Sequence, residues 1–138
     1  MAFKNFDSIK SKMKSREKDS VKQVKKAVYK ATTLVQGFAQ ENINRGAKSG
    51  NPRPQGGTAS AAGEFPATDT GFLVSNITTN VKTERGQVIG QIISAAPYSK
   101  HLEYGTSNMA ARPFMQPSLK MNRKKINKIF KKEGIIRK

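Results

Sequence analysis

Chemistry in this chain would have to come from one histidine, nine carboxylates, twenty-six cations and the serines, because it has no cysteine. Their spacing argues against catalysis. His101 and Glu103 are two residues apart. On a helix such a pair points in different directions, so it makes a poor acid–base or metal pair. Glu64 and Asp69 flank a loop with no partner histidine and no third carboxylate nearby. Glu41, Glu64, Asp69 and Glu84 are scattered and lack the spacing of a metal-binding loop. Ser75, Ser99 and Ser107 have no triad context. The absence of Cys removes thiolate ligands and disulfides, and a single His argues against zinc. Gly56-Gly57 is not followed by Gly-Lys-Ser/Thr, so it is no phosphate loop. We therefore expect no catalytic, metal or cofactor site, and no enzyme.

The cations are the stronger signal. Formal net charge is +17, unevenly spread. Residues 1–30 hold ten Lys/Arg against three acids, residues 31–99 five against four, and residues 100–138 eleven against two. Both ends are basic and the middle is nearly neutral. Such a pattern turns both ends toward an anionic partner, with nucleic acid phosphate the obvious candidate. Lys22, Lys25, Lys26, Lys124, Lys125, Lys128, Lys131 and Lys132 are the residues expected to face DNA or an acidic partner. The same lysines read equally well as solvated helix faces that keep the chain soluble. No zinc-finger spacing or clear helix-turn-helix signal is present, and the expected strands carry no aromatic residue to stack a base. Any contact to nucleic acid would be to phosphate, without sequence preference.

The elements that must position these residues follow from periodicity. At 138 residues the chain is expected to form one domain with one modest core. Phe6, Ile9 and Met13 have helical spacing, with Asp7 a candidate cap. Val21, Val24, Val28, Ala31, Val35 and Phe38 step by three and four along a long helix over about 18–45. The two registers do not join, so a break is expected near 15–19, with Asp19 or Ser20 as cap. Gly46 is a candidate left-handed cap. Residues 47–69, rich in Gly, Pro and small residues, read as an extended loop or arm that orders against a neighbouring subunit. A short helical turn follows at 70–76. A strand over 77–83, a turn at Glu84-Arg85-Gly86 and a strand over 87–94 make a hairpin. The second strand has apolar residues on both faces, which predicts cover on each side. Pro97 opens a short helix over 97–104, closed by Gly105, and Pro117 opens the last helix, over 117–133. Its apolar positions are Leu119, Ile126, Ile129 and Phe130. The fold class is α+β: a small antiparallel hairpin sheet packed by a long N-terminal helix and a C-terminal helix, with a long loop. The single domain, 1–138, divides into N-terminal helices (1–46), loop or arm (47–69), hairpin and short helix (70–116) and basic C-terminal helix (117–138). No apolar run reaches the roughly 18 residues of a membrane span, and the first residues lack a secretory signal's apolar core, so a cytoplasmic product is expected.

Three segments resemble the HK97 gp10-like family of tailed-phage head–tail connector and tail-completion proteins. Gly63-Glu64-Phe65-Pro66-Ala67-Thr68-Asp69-Thr70-Gly71-Phe72-Leu73-Val74-Ser75-Asn76-Ile77 is similar to the family's Pro…Thr-Gly-x-Leu-x-x-Ser-Ile segment. Ala96-Pro97-Tyr98-Ser99-Lys100-His101-Leu102-Glu103-Tyr104-Gly105-Thr106 resembles Tyr-Ala-x-x-Val-Glu-Tyr-Gly-Thr. Ala111-Arg112-Pro113-Phe114-Met115-Gln116-Pro117-Ser118-Leu119 resembles Ala-Arg-Pro-Phe-hydrophobic-x-Pro-Ala-Leu. The resemblance spans about residues 20–133. Phe72 departs from it where a basic residue is common, Asn76 where Ser is frequent and Ser99 where Ala is frequent.

The resemblance implies a virion structural protein without enzymatic activity, made in the host cytoplasm and placed at the head–tail junction. It implies a ring of copies that joins the tail to the head connector and lets DNA pass. Its partners would be copies of itself, connector or adaptor, tail-terminator or tail-tube proteins, and genomic DNA by non-specific phosphate contacts, with no membrane. Subunit-interface candidates are Arg53, Phe65, Phe72, Tyr104, Arg112 and Phe114. Tyr98, Leu102 and Tyr104 are expected to anchor the short helix on the hairpin, Phe114 and Pro113 to plug a pocket, and Arg112 to clamp a carboxylate, with Glu103 nearest. The alternative is a basic protein that coats nucleic acid non-specifically.

Overall fold

The computed structural model describes residues 3–135. Helix α1, Phe3–Arg45, runs through 43 residues without interruption. The break expected near 15–19 is absent, and Asp7, Asp19 and Ser20 lie inside the helix rather than at caps. The reason is compositional: no Gly or Pro occurs between residues 3 and 36, so nothing forces a stop where the apolar register shifts. At about 1.5 Å per residue α1 is roughly 64 Å long. The expected apolar face of Phe6, Ile9 and Met13 lies outside the described side chains.

The buried line of α1 is Ala27, Ala31, Val35, Ala39 and Ile43, with Thr32 beside it. The expected face is close to this line, but Val21 is exposed, and Ala27, Ala39 and Ile43 lie outside the expected set. Three alanines keep the helix surface low, so other backbone approaches closely. Gly46 follows the last turn and donates its N–H to Asn42 O at 3.0 Å. It is not left-handed. It is glycine because a Cβ would lie 2.4 Å from that carbonyl oxygen.

Helix α2, Phe72–Ser75, enters through Gly71 at φ 80°. Strands β1, Ile77–Glu84, and β2, Gln87–Ser94, form a two-stranded antiparallel sheet. Arg85 and Gly86 both have positive φ, as a two-residue hairpin turn requires. The sheet lies across α1 at Gly90, where an added Cβ would meet Thr32 Cγ2 at 2.4 Å and Val28 Cγ1 at 2.7 Å. A glycine inside a strand marks such a close approach. Cover on both faces is not found. Val88 and Ile92 point toward the helices, whereas Ile93, on the outer face, is 44% exposed.

Helix α3, Ser99–Tyr104, follows a turn at Pro97-Tyr98 and ends at Gly105, φ 76°. The expected single last helix is two: α4, Met115–Met121, and α5, Arg123–Lys132, broken at Asn122. Pro117 is the third residue of α4, not its first. Proline is tolerated there because first-turn N–H groups have no helical acceptor. Asn122 and Ser118 are both buried, and Asn122 Nδ2 donates to Ser118 O at 2.7 Å. Leu119, in α4, is 54% exposed and sits at the rim of the groove that Ile126 and Phe130 line. Ile126 and Phe130 of α5 line an apolar groove with Val28, Ala31 and Val35 of α1. The main core joins Ala39, Ile43, Leu73, Ile77, Ala96 and Phe114, with Phe65, Val74, Ile92, Leu102 and Met115 packed around it.

Candidate interaction surfaces

The residues proposed from the sequence separate into those that hold the fold and those left for partners. Glu103 belongs to the first group. Its carboxylate accepts from the backbone N–H of Phe114 (2.8 Å), Met115 (3.0 Å) and Gln116 (2.9 Å). These are donors that the first turn of α4 leaves unpaired, at the positive end of its dipole. The expected clamp between Arg112 and Glu103 does not form. Arg112 Nε donates instead to Ser60 O at 3.1 Å, tying the 47–69 loop to the segment before α4. Phe114, expected both at an interface and in a pocket, is 0% exposed and lies in the core of the single chain.

The loop is bonded back onto its own chain. Glu64 fixes its base, accepting from Ala61 N at 2.8 Å, Ser49 N at 3.0 Å and the Ser49 hydroxyl. These bonds, the Ser49 hydroxyl's foremost, hold the Glu64 carboxyl down at about 2. Lys48 donates to Asn42 O at the end of α1, and burial lowers its pKa while nearby Glu64 opposes the shift. Arg53 donates to Thr68 O (2.8 Å) and Ala67 O (3.3 Å) and stands 3.8 Å from Asp69. Phe65 is half-buried against the core, set edge-on to Phe38 at 6.2 Å between ring centres. Backbone polar groups without strand or helix partners thus find donors or acceptors within their own chain.

The lysines behave differently. Lys22, Lys25, Lys26, Lys124, Lys125, Lys128, Lys131 and Lys132 are all exposed, and none forms an ion pair among the described residues. Packing of α5 on α1 brings the two basic ends of the sequence together. Glu133 marks the junction, with Lys30 Nζ 2.5 Å from its carboxylate and Gln23 donating to its carbonyl. The bond from Lys30 is the main reason the Glu133 carboxyl sits below its ordinary range, and the charges of Lys30, Lys26 and Lys132 add to it. Lysines from α1 and α5 therefore surround one acid.

The remaining interface candidates line two grooves. Arg53, Phe72 and Arg112 share one of about 470 Å³ with Tyr98, whose ring lies 6.3 Å from that of Phe72. Tyr104, 77% exposed, borders another of about 560 Å³ between β2, α3 and α4. Tyr98 and Tyr104 thus do not anchor α3; Leu102 alone of the three expected residues packs on the core. Sequence reasoning missed the exposed Leu119 and Ile93, and it missed the role of Glu103, whose partners begin eleven residues later. Gly90 did carry a readable signal, a glycine inside a strand pattern. Among the described residues no three of His, Asp and Glu are placed to hold a metal, and no helix is long and apolar enough to cross a membrane.

A family model described as "Bacteriophage HK97-gp10, putative tail-component" matches residues 7–105. No curated protein and no solved structure matches the chain. The chain belongs to the HK97-gp10-like family and is a structural component of a phage tail.

Proposed function

We propose that this HK97-gp10-like protein forms a ring of copies at the head–tail junction, completing the tail end and joining it to the head connector while DNA passes. The observation that carries the reading is the convergence of the two basic ends on the packed helices α1 and α5, where Lys30, Lys26 and Lys132 gather on Glu133. One subunit then offers a basic surface to an anion and, beside Phe72 and Tyr104, grooves to protein. A lean monomer core fits a subunit that buries the rest of its apolar surface against copies of itself. Lysines suit a channel for moving DNA, because mobile ammonium groups hold phosphate less rigidly than bidentate arginine.

The test is a phage with this gene inactivated and complemented in trans. Filled heads separated from complete tails are expected without the protein, and joined particles with it. Attachment that persists without the protein would remove the reading. Complementation with Lys124, Lys125, Lys128, Lys131 and Lys132 all changed to Gln addresses passage: attached particles that fail to deliver DNA are expected, and normal delivery would exclude these lysines from the channel.

The net charge of +17 supports a second reading, a protein that coats nucleic acid through phosphate contacts. Light scattering of the purified chain with duplex DNA separates the two. Large DNA-dependent complexes that dissolve with salt favour coating; discrete protein-only oligomers favour the ring.

A further inference from the structure

We infer that the outer edge of β2 is the contact through which a second copy of this chain extends the sheet, its inward side chains filling the groove between β2, α3 and α4. The inference rests on the self-assembly in the proposed function and names where it occurs.

The hairpin register decides which backbone groups are free. Glu84 pairs with Gln87 across a two-residue turn, and Ala95 N donates to Asn76 O. Hydrogen-bonded pairs therefore alternate from Glu84–Gln87 through Lys82–Ile89, Asn80–Gln91 and Thr78–Ile93. Val88, Gly90, Ile92 and Ser94 turn their N–H and C=O groups outward, and no backbone partner meets them among the described residues.

The two edges of the sheet are not equally guarded. On β1 the Ile77 carbonyl is taken by Gln36 Nε2 at 2.7 Å, and the strand carries Lys82 and Glu84. On β2, Gln87-Val88-Ile89-Gly90-Gln91-Ile92-Ile93-Ser94, there is no charge and no proline. Those are the devices that keep a free edge from pairing, and β2 has neither. A sheet of two strands is also marginal alone and is strengthened by a third.

Beside this edge the 560 Å³ groove is lined by Ile92, Ser94, Tyr104, Met115 and the exposed Leu119. Inward residues of an added strand would descend onto that apolar floor. Charge selects a second copy as the occupant. An acidic partner would be drawn to the lysines of α1 and α5. Two chains of +17 repel each other except where cations are sparse, and β2 lies in the near-neutral middle of the sequence. The groove lining holds one lysine, Lys100, and one carboxylate, Glu103, so its formal charge is balanced.

The test uses the full chain at physiological salt over a wide concentration range, with mass by sedimentation and hydrogen exchange of residues 87–94. Mass is expected to rise with concentration while exchange in that segment slows at least tenfold. A limit at the dimer would mean β2 pairs with β2, and larger rings would mean head-to-tail addition; either supports the contact. Val88→Pro removes an outward N–H, and Leu119→Lys places a charge on the groove floor at a residue already exposed in the monomer. Both are expected to stay monomeric, Leu119→Lys with an unchanged far-UV spectrum. Oligomers that leave 87–94 unprotected, or Leu119→Lys assembling like the parent, would overturn the edge contact yet leave a ring by another surface standing. A chain monomeric at every concentration would overturn it as well. The gene-inactivation phenotype is read separately, so failure of the contact and failure of the tail-joining role remain distinguishable.

Discussion

The junction of α3 with α4 and the paired basic helices use charge in opposite ways. At the junction one carboxylate, Glu103, serves three backbone donors. On α1 and α5 eight exposed lysines form no ion pair among the described residues, and Glu133 is engaged with Lys30. The scarce acids are largely spent on structure: Glu64 holds the loop base, Asp69 faces Arg53, and Glu84 lies 3.2 Å from Lys82. Those exposed lysines form no ion pair within the described fold, so they remain on the surface as solvated charge. The difference separates the charges bonded within the subunit from those left exposed on it.

Glu103→Ala breaks the comparison hardest. It strips three backbone N–H groups of their acceptor, and hydrogen bonds to a charged group are worth about 2 kcal/mol or more. At roughly 4 °C per kcal/mol for a chain of this size, a fall in melting temperature of about 8 °C is expected by calorimetry. A shift under about 2 °C would mean that α4 holds its position without Glu103.

Glu64→Gln acts through pH and should cost less. The folded-state pKa is near 2, against an ordinary value of 4.5. A depressed carboxyl contributes stability that is complete above its unfolded pKa and lost as pH falls through its folded one. The gap in melting temperature between parent and variant should therefore be constant from pH 7 to about 5 and close between about 4.5 and 2. A gap independent of pH would assign the effect to shape rather than charge.

Glu133→Gln should have a smaller effect, since Lys30 and Gln23 retain neutral acceptors. Its carboxyl is also depressed, so its contribution too is present above the ordinary carboxylate range and fades in acid. The difference from the parent should shrink in high salt, because the pair lies at the surface. Smallest of all, Lys124, Lys125 and Lys128 changed together to Gln should leave stability within about 0.5 kcal/mol. The same triple change should flatten the salt dependence of polyanion binding, by up to about 0.9 in log–log slope for each phosphate no longer neutralised. A clear drop in stability would show that these lysines support the fold after all.

Much of the fold was legible because it rests on local pattern. The hairpin, its Arg85-Gly86 turn, Gly105 as the stop of α3, and the apolar face of α1 follow from period, turn chemistry and caps within a few residues. The errors share a cause as well. The change of apolar register suggests a break in α1, but register records what a helix packs against, whereas continuity depends on Gly and Pro. Asn122 gave no local warning of the division between α4 and α5. Of the interface candidates, Phe72 and Tyr104 are exposed, while Phe65 is half-buried and Phe114 buried. An aromatic residue in a loop looks the same from sequence whether it faces a neighbour or its own core.

The sequence by itself determined the hairpin and its turn, the order of helix, loop, hairpin and C-terminal helix, and the division of charge into two basic ends and a neutral middle. These are properties of residue type and near spacing. Only the tertiary structure decided that Glu103 serves α4, that Arg112 reaches Ser60, that the loop folds back, and that the two basic ends meet at Glu133. Each joins residues far apart in the chain, from Glu103 and Phe114, eleven positions apart, to Gln23 and Glu133, one hundred and ten. Such contacts depend on which helix lies on which strand. That choice is made by collective packing around Ala39, Ile43, Ile77 and Phe114, and no single segment encodes it.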